Sequence, residues 1–458
     1  MNIQREELAD RQVQLTVEVP AERIEGAKRT AARRLGDRTR IPGFRPGKAP
    51  YDMILRKLGE EAIFEEALEI LGQEAYREAL EETSLDPYAP GSLDDIVSRE
   101  PLVLRYTVPL PPEVDLGAYR DLRLPQEKSG VQDQAVEDLM EELRNRQALI
   151  EPAARAAQLG DRLVLDAHGQ VDEDGKSSEL MDEHGISLLL QEETNWPFPG
   201  ISAHMLGLAA GEDKEVSYVF PEDYSNESLR GRAARFVFHV QEVKSRTLPE
   251  WSDELARGMG DFESLEDLRA KARTSLQEQS DRRAESDFAS LVVERIVEQS
   301  KLNYPPVLVH EETDGMLRDL DRRLQSQKLS LADYLRIEKK TIEEVRKEME
   351  PSARQRVQRA LVLGKVVELE SLGTANEEIE AQFDAMAAAL GAGTDDIRRA
   401  LDNPAGRRRI TLDLLTEKAI ARLVAIARGE APEPGVSAQP GDETVTEPQQ
   451  LPTESTAE

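Results

Sequence analysis

IPGFRPGKAP, residues 41–50, places three prolines and two glycines in ten positions. Neither a helix interior nor a strand ladder tolerates that density, because each proline removes an N–H donor and fixes φ. The stretch is a loop, and regular structure is expected on both sides of it. Before it, residues 11–20 (RQVQLTVEVP) alternate polar and apolar side chains, the pattern of a half-buried strand. Residues 21–36 then put Ile24, Ala27, Ala31 and Leu35 at helical spacing. After it, helices are expected at 50–58 and 60–82, and a second strand at 102–110 (LVLRYTVPL). This first segment reads as α+β and ends near the Pro-rich 110–116.

The loop is also where positive charge collects. Lys28, Arg29, Arg33, Arg34, Arg38, Arg40, Arg45 and Lys48 face a single acid, Asp37, in a chain whose net charge is −31. Arginine and lysine pair with phosphates or surface carboxylates, and Phe44 beside them can enter an apolar pocket. A solvated helix face followed by a surface turn accounts for the same composition equally well.

Further along, 117–157 reads as a connector containing one helix, 131–150. Residues 158–246 change texture: RLVLDAHGQV, EVSYVF and ARFVFHVQEV are short strands rich in Val, Phe and Tyr, with Asp174-Gly175 as a turn signal. From 250 to 430 the chain is nearly all helical, with breaks at Tyr304-Pro305-Pro306, Leu372-Gly373 and 391–394, and a last helix at 407–428. Neither a fixed repeat nor sustained heptads are present. Residues 431–458 hold five prolines, six acids and no Lys or Arg, the composition of a disordered acidic tail.

Composition narrows the function classes. With no cysteine, disulfide and thiolate chemistry are excluded. A strongly acidic chain repels nucleic acid and anionic membranes, so any RNA contact must come from the basic segment. No apolar run reaches 18 residues, and MNIQREELADRQ lacks the pattern of a secretory leader, so a cytosolic protein without membrane spans is expected. His168, His184, His204, His239 and His310 show no metal-ligand spacing, and phosphate-binding glycine loops and GxSxG elements are missing; no cofactor or metal is expected.

Gly43, Phe44, Arg45, Pro46, Gly47, Lys48, Ala49 and Pro50 match the Gly-Phe-Arg-x-Gly-Lys-x-Pro loop of the trigger factors, and the chain resembles that family over 1–430. Tyr304-Pro305-Pro306-Val307-Leu308-Val309 resembles the Pro-x-x-Leu-Val opening of a long helix in the same family. The resemblance implies a multidomain α+β protein. Its parts would be an α+β ribosome-binding domain (1–113), a connector within the chaperone body (114–157), an FKBP-like β-rich α+β isomerase domain (158–246), an all-α chaperone domain with arms (247–430) and the tail (431–458). It implies an ATP-independent chaperone that docks with 43–48 on the large ribosomal subunit beside the tunnel exit, touching a ribosomal protein and rRNA. There it would hold nascent and unfolded chains for folding or export. Homodimers off the ribosome are a further implication.

The isomerase part rests on Gly160-Asp161, Phe198-Pro199-Gly200, Phe220-Pro221-Glu222-Asp223-Tyr224 and Phe236-Val237-Phe238. Carried over by position, Phe198, Tyr224 and Phe238 would form the prolyl cup, Tyr224 would donate from its hydroxyl, and Glu179 would lie near the rim. Ile201, Ala167 and Ile186 stand where the family usually has aromatics, which implies a shallower pocket and weaker activity. Ordinary β-core aromatics are the competing reading of these rings. Met386, Leu390, Leu317 and Leu320 would line a client surface or, equally, pack helix on helix. A soluble FKBP-type isomerase acting off the ribosome, a periplasmic chaperone-isomerase and an RNA-binding protein remain the alternatives.

Overall fold

Val13, Leu15, Val17 and Val19 are fully buried between half-buried polar neighbours, and this alternation seeds the first core. In the computed structural model, which describes residues 1–39, 41–42, 44, 48–126, 130–173, 176–390, 398 and 402–432, these residues lie on β2 (Gln12–Val19), beside β1 (Asn2–Glu7). Helices α1 (Ala21–Arg38), α2 (Tyr51–Leu58) and α3 (Glu60–Thr83) follow, then β3 (Ser92–Arg99), β4 (Leu102–Pro109) and a short β5 (Glu113–Asp115). The sheet order is β1-β2-β4-β3, antiparallel throughout, with Leu15 opposite Tyr106 at its centre.

The helices meet through small residues. Ala27, Ala31, Ala32 and Gly36 of α1 are buried against the same core as Ile63, Ala67, Leu71 and Ala75 of α3. A Cβ at Gly36 would come within 3.0 Å of Ile54 Cδ1, so α1 and α2 approach as closely as glycine allows. Tyr106 crosses from sheet to helix and donates its hydroxyl to the Gly72 carbonyl at 2.8 Å, giving a buried polar group its partner. β1 and β3 were not foreseen in the sequence; both are edge strands of mostly exposed residues.

The contacts divide the chain into two compact units: 1–126 with 285–458, and 127–284. The second unit opens with α4 (Asp133–Arg146) and β6 (Leu149–Pro152). Next come β7 (Arg162–Glu173), β8 (Lys176–Leu189), α5 (Ile201–Met205), β9 (Asp213–Val219) and β10 (Ala233–Thr247). β10 is the organiser of this antiparallel sheet, pairing with β6, β7 and β9, while β8 pairs with β7. α6 (Asp253–Met259) and the start of α7 (Leu265–Gln299) bury Ala256, Leu268 and Ala272 against Val136 and Met140 of α4.

In the first unit the chain resumes along α7, then β11 (Lys301–Asn303), which pairs with β5. Helices α8 (Pro306–Ser326), α9 (Leu331–Glu338), α10 (Ile342–Leu369), α11 (Asn376–Leu390) and α12 (Pro404–Arg428) follow. The break between α8 and α10 that accommodates α9 was not read in the sequence; Ser330 caps α9 and Lys339 ends it in the left-handed region. Leu116 and Tyr119 pack among Val292 and Ile296 of α7, Val362 and Val366 of α10, and Leu423 of α12. At the edge of this core the Glu370 carboxylate, fully buried, accepts from Tyr119 Oη at 2.7 Å, from Arg120 Nε and Nη2 at 2.8 and 2.6 Å, and from Arg422 Nε at 2.9 Å. Burial would raise its pKa, but these hydrogen bonds outweigh that and hold it below the ordinary carboxylate range.

Among the described residues no helix is long and apolar enough to cross a membrane. The expected break at 391–394, the Asp174-Gly175 turn and the tail beyond 432 lie outside the described residues.

Candidate functional site

Between α1 and α2 the loop is held at both ends. Ile41 is buried in the first core and Ala49 packs against it. Phe44, whose N–H donates to the Ile41 carbonyl at 3.2 Å, is nevertheless 39% exposed, and Lys48 is exposed as well. Gly43, Arg45, Pro46, Gly47 and the flanking Arg40 lie outside the described residues. The cations on α1 divide into two sets. Lys28 and Arg34 are drawn onto α3 by Glu60 at 3.2 Å and Glu66 at 3.3 Å. Arg29, Arg33 and Arg38 are exposed and have no ion-pair partner among the described residues. An accessible ring thus follows, along the chain, a helix carrying three exposed cations without ion-pair partners among the described residues.

The second candidate is a cluster of six rings in the sheet of the second unit. Phe198 stacks on Tyr218 with centroids 4.4 Å apart and lies 4.9 Å from Phe236 and 6.4 Å from Phe238. Phe236 and Phe238 stack at 5.9 Å. Tyr224 joins through Phe220 at 4.7 Å, and Phe220 meets Tyr218 edge-on at 5.2 Å. Offset and edge contacts of this kind add about 0.5–1.5 kcal/mol per pair beyond simple burial. Phe198, Phe236 and Phe238 have no exposure at all, and Phe220 only 1%, so these four make a floor. Tyr218 and Tyr224 are half-buried and form the accessible side, while the exposed His204 ring stands edge-on to Phe198 at 6.0 Å.

The sequence offered Phe198, Tyr224, Phe238 and Glu179 for this site. The first three belong to one ring cluster. Glu179 does not join them: it is exposed on β8 opposite Gln170, and β7 turns its odd-numbered residues inward and its even-numbered ones outward. Glu179 keeps the register of Val171↔Ser178, and the two shifts, at Leu165/Ala167 and Gly169/Gln170, fall beyond it. Tyr218, Phe220 and Phe236 were the rings missed. Their signal was the period of two in EVSYVF and ARFVFHV, which sets Tyr218 with Phe220 and Phe236 with Phe238 on one face.

At the positions where rings were expected, Ile201 and Ala167 are buried in the core and Ile186 packs against it. Gly169 is required by the floor, since a Cβ there would lie 2.9 Å from Phe236 Cε1 and 2.7 Å from Met181 Cγ. The start of β7 is clamped by Asp161, whose carboxylate accepts from Arg155 at 2.5 and 2.9 Å and from the Gln158 N–H at 2.8 Å. Burial opposes that charge, but the Arg155 and Gln158 bonds prevail and lower the Asp161 pKa.

Of the proposed client-contact residues, Leu317 is buried in α8 and Met386 is exposed on α11; Leu320 is half-buried and the Leu390 side chain lies outside the described residues. Ile337 and Leu412, at 65% and 64% exposure, were not singled out in the sequence. His168 and His184 flank Asp182 at 3.5 and 3.6 Å, yet no group of three His, Cys, Asp or Glu among the described residues could hold a metal.

Residues 1–143 match the family model described as bacterial trigger factor protein, and residues 264–425 match the one described as its C-terminus. The trigger factor of Thermoanaerobacter sp. (strain X514) is 35% identical over 392 residues, 85% of this chain and 89% of that one. That of Geobacillus thermodenitrificans (strain NG80-2) is 32% identical over 430 residues, 91% and 99% of the two chains. A solved structure of a trigger factor chaperone is similar over 93% of this chain and 99% of that one, at 22% identity and a TM-score of 0.48, a likeness too loose to carry residue roles.

Proposed function

This chain belongs to the trigger factor family, and from that membership we propose which of its residues perform the family's two tasks. It is a ribosome-associated, cytoplasmic chaperone for nascent and unfolded polypeptides, and it carries FKBP-type peptidyl-prolyl isomerase activity. We assign 1–113 to ribosome binding, 158–246 to isomerisation, and 247–430 with the connector 114–157 to the chaperone body.

Docking is assigned to the loop 43–48. Phe44 enters an apolar pocket of the partner, while Lys48, Arg45 and the uncommitted Arg29, Arg33 and Arg38 meet its phosphates or carboxylates. The observation that carries this is the exposure of Phe44, 39%, in the loop that follows a helix whose Arg29, Arg33 and Arg38 are exposed and have no ion-pair partner among the described residues. An aromatic anchor ringed by charge is how a few residues supply most of an interface's affinity. Ribosome co-sedimentation tests it. The wild type is expected to pellet, and the variant with Phe44, Lys48 and Arg45 all replaced by Ala to stay in the supernatant while keeping its melting profile. Equal pelleting of the two would refute the assignment.

Isomerisation needs neither nucleophile nor metal. Resonance in the X–Pro amide sets a barrier of about 18–20 kcal/mol, and twisting the amide out of plane removes that resonance. We assign the prolyl ring to the surface formed by Tyr218 and Tyr224 above the floor of Phe198, Phe236 and Phe238. The floor excludes water from the amide, and the Tyr224 hydroxyl donates to the substrate. A seat walled by two half-buried rings is shallow, which fits weak binding of many prolyl sequences. Clients are assigned to scattered exposed apolar residues on the helices, Ile337, Met386 and Leu412 among them, a pattern suited to loose, multi-site contact.

A further inference from the structure

Two arginines of the second unit have no carboxylate. Arg162, the first residue of β7, and Arg246, near the end of β10, are both partly buried, and neither forms an ion pair among the described residues. The Arg246 guanidinium donates to the neutral side chain of Asn145, and the Nε of Arg162 is buried with no hydrogen-bond partner. Both line one cavity of about 400 Å³ at the end of α4, with Arg146 on its wall. The acids nearby are engaged elsewhere: Glu142 is held by Arg146 at 2.5 Å and Glu141 by Arg144 at 2.6 Å. Those two pairs cancel, which leaves Arg162 and Arg246 as an uncompensated double positive charge.

That arrangement is costly as it stands. Burial, then the neighbouring charges of Arg162 and Arg144, lower the proton affinity of Arg246. Elsewhere the chain meets half-buried cations with an acid, as Glu370 does for Arg120 and Arg422. Here the one acid among the residues lining the cavity, Glu142, is held by Arg146, and neither Arg162 nor Arg246 has an ion-pair partner among the described residues. A concave surface bearing two unpaired guanidinium groups is complementary to an anion from solution.

We propose that this cavity binds a phosphate-class oxyanion, with Arg162 and Arg246 as its ligands and Asn145 positioning Arg246. A carboxylate neutralises one guanidinium; a phosphate dianion neutralises both and offers oxygens enough for two forks. The volume exceeds that of a lone phosphate, and Ile150 and Leu189 give the cavity an apolar wall. The anion is therefore free phosphate or a phosphate monoester whose short carbon chain rests on that wall. None of the residues lining this cavity belongs to the ring cluster.

Calorimetric titration of the full chain at fixed ionic strength tests it, with inorganic phosphate, glycerol 3-phosphate and acetate as probes. Saturable binding of a phosphate probe is expected, weakened at least tenfold in Arg162→Gln and in Arg246→Gln and unchanged in Arg269→Gln, an exposed arginine of the same unit. Tighter binding of glycerol 3-phosphate identifies an ester as the ligand, and the reverse identifies free phosphate; both support the site. If Arg162→Gln does not fold, Arg162→Lys keeps the charge without the fork and still weakens binding severalfold. Absence of saturable phosphate binding, equal affinity in the variants, or acetate binding as tightly as phosphate overturns the proposal.

Discussion

Replacing Glu370 by Gln keeps the side chain's shape and removes its charge. The wild-type carboxylate is fully buried and accepts four hydrogen bonds from Tyr119, Arg120 and Arg422. An amide offers one oxygen where two accepted, and its NH₂ group faces donors. Breaking a buried ion pair on one side costs about 3–5 kcal/mol. Arg120 and Arg422 retain 28% and 17% exposure, so water recovers part of that loss. We therefore expect about 2–3 kcal/mol, which is about 30-fold or more in an opening equilibrium. Hydrogen exchange reads this by segment: amides of α10 and α12 that exchange by opening of this core should speed up by that factor, and those of β7 and β10 should not.

The effect has a pH window with a definite sign. The folded pKa of Glu370 lies below its ordinary value of 4.5, so its contribution is complete above that value and is lost as pH falls through the folded one. The difference between Glu370→Gln and wild type should thus be constant near neutrality and close as the pH drops below 4.5. Unchanged protection at neutral pH, or equal loss in both units, would refute the reasoning.

Tyr224→Phe removes one hydroxyl donor from the proposed prolyl seat; a proline-limited refolding assay with the full chain should show about a 2- to 10-fold loss, the worth of one hydrogen bond, and an identical rate removes Tyr224 from the site. Gly169→Ala pushes a methyl group into the ring of Phe236, and the second unit should lose about 1–3 kcal/mol in denaturant titration. Ile201→Trp, which would restore a ring where the family usually has one, should overpack a fully buried position and destabilise by a similar amount instead of deepening the seat, as a fall in denaturation midpoint.

What could be read from the sequence followed burial. Val13 to Val19 and 102–110 alternate because one face of each strand is sealed, so they announce themselves. β1 and β3 do not, because edge strands take charged residues that hide the pattern and guard against further pairing. The loop at 41–50 was legible from glycine and proline alone, but the pairing of Lys28 and Arg34 with α3, which separates committed from uncommitted cations, is a tertiary fact. Phe198 and Phe238 were recognised as part of the ring cluster, yet their depth was not, since Phe236 packs against both and Phe220 packs against Phe236 in turn. Glu179 falls outside the ring cluster because it pairs with Gln170 on the outward face of β7, a pairing that composition does not mark.

β10 sets an order on the protein's own birth. Three of the four remaining strands in its sheet hydrogen-bond to it, and it is the last of them in the sequence. During synthesis the hairpin of β7 and β8 can form early, but β6 and β9 have nothing to pair with until residue 247 is free of the machinery that made it. Until then the rings at 198, 218, 220 and 224 lack the two from β10 and stay open to water and to other chains. This unit therefore passes through the same exposed, half-made condition as the polypeptides it will later attend.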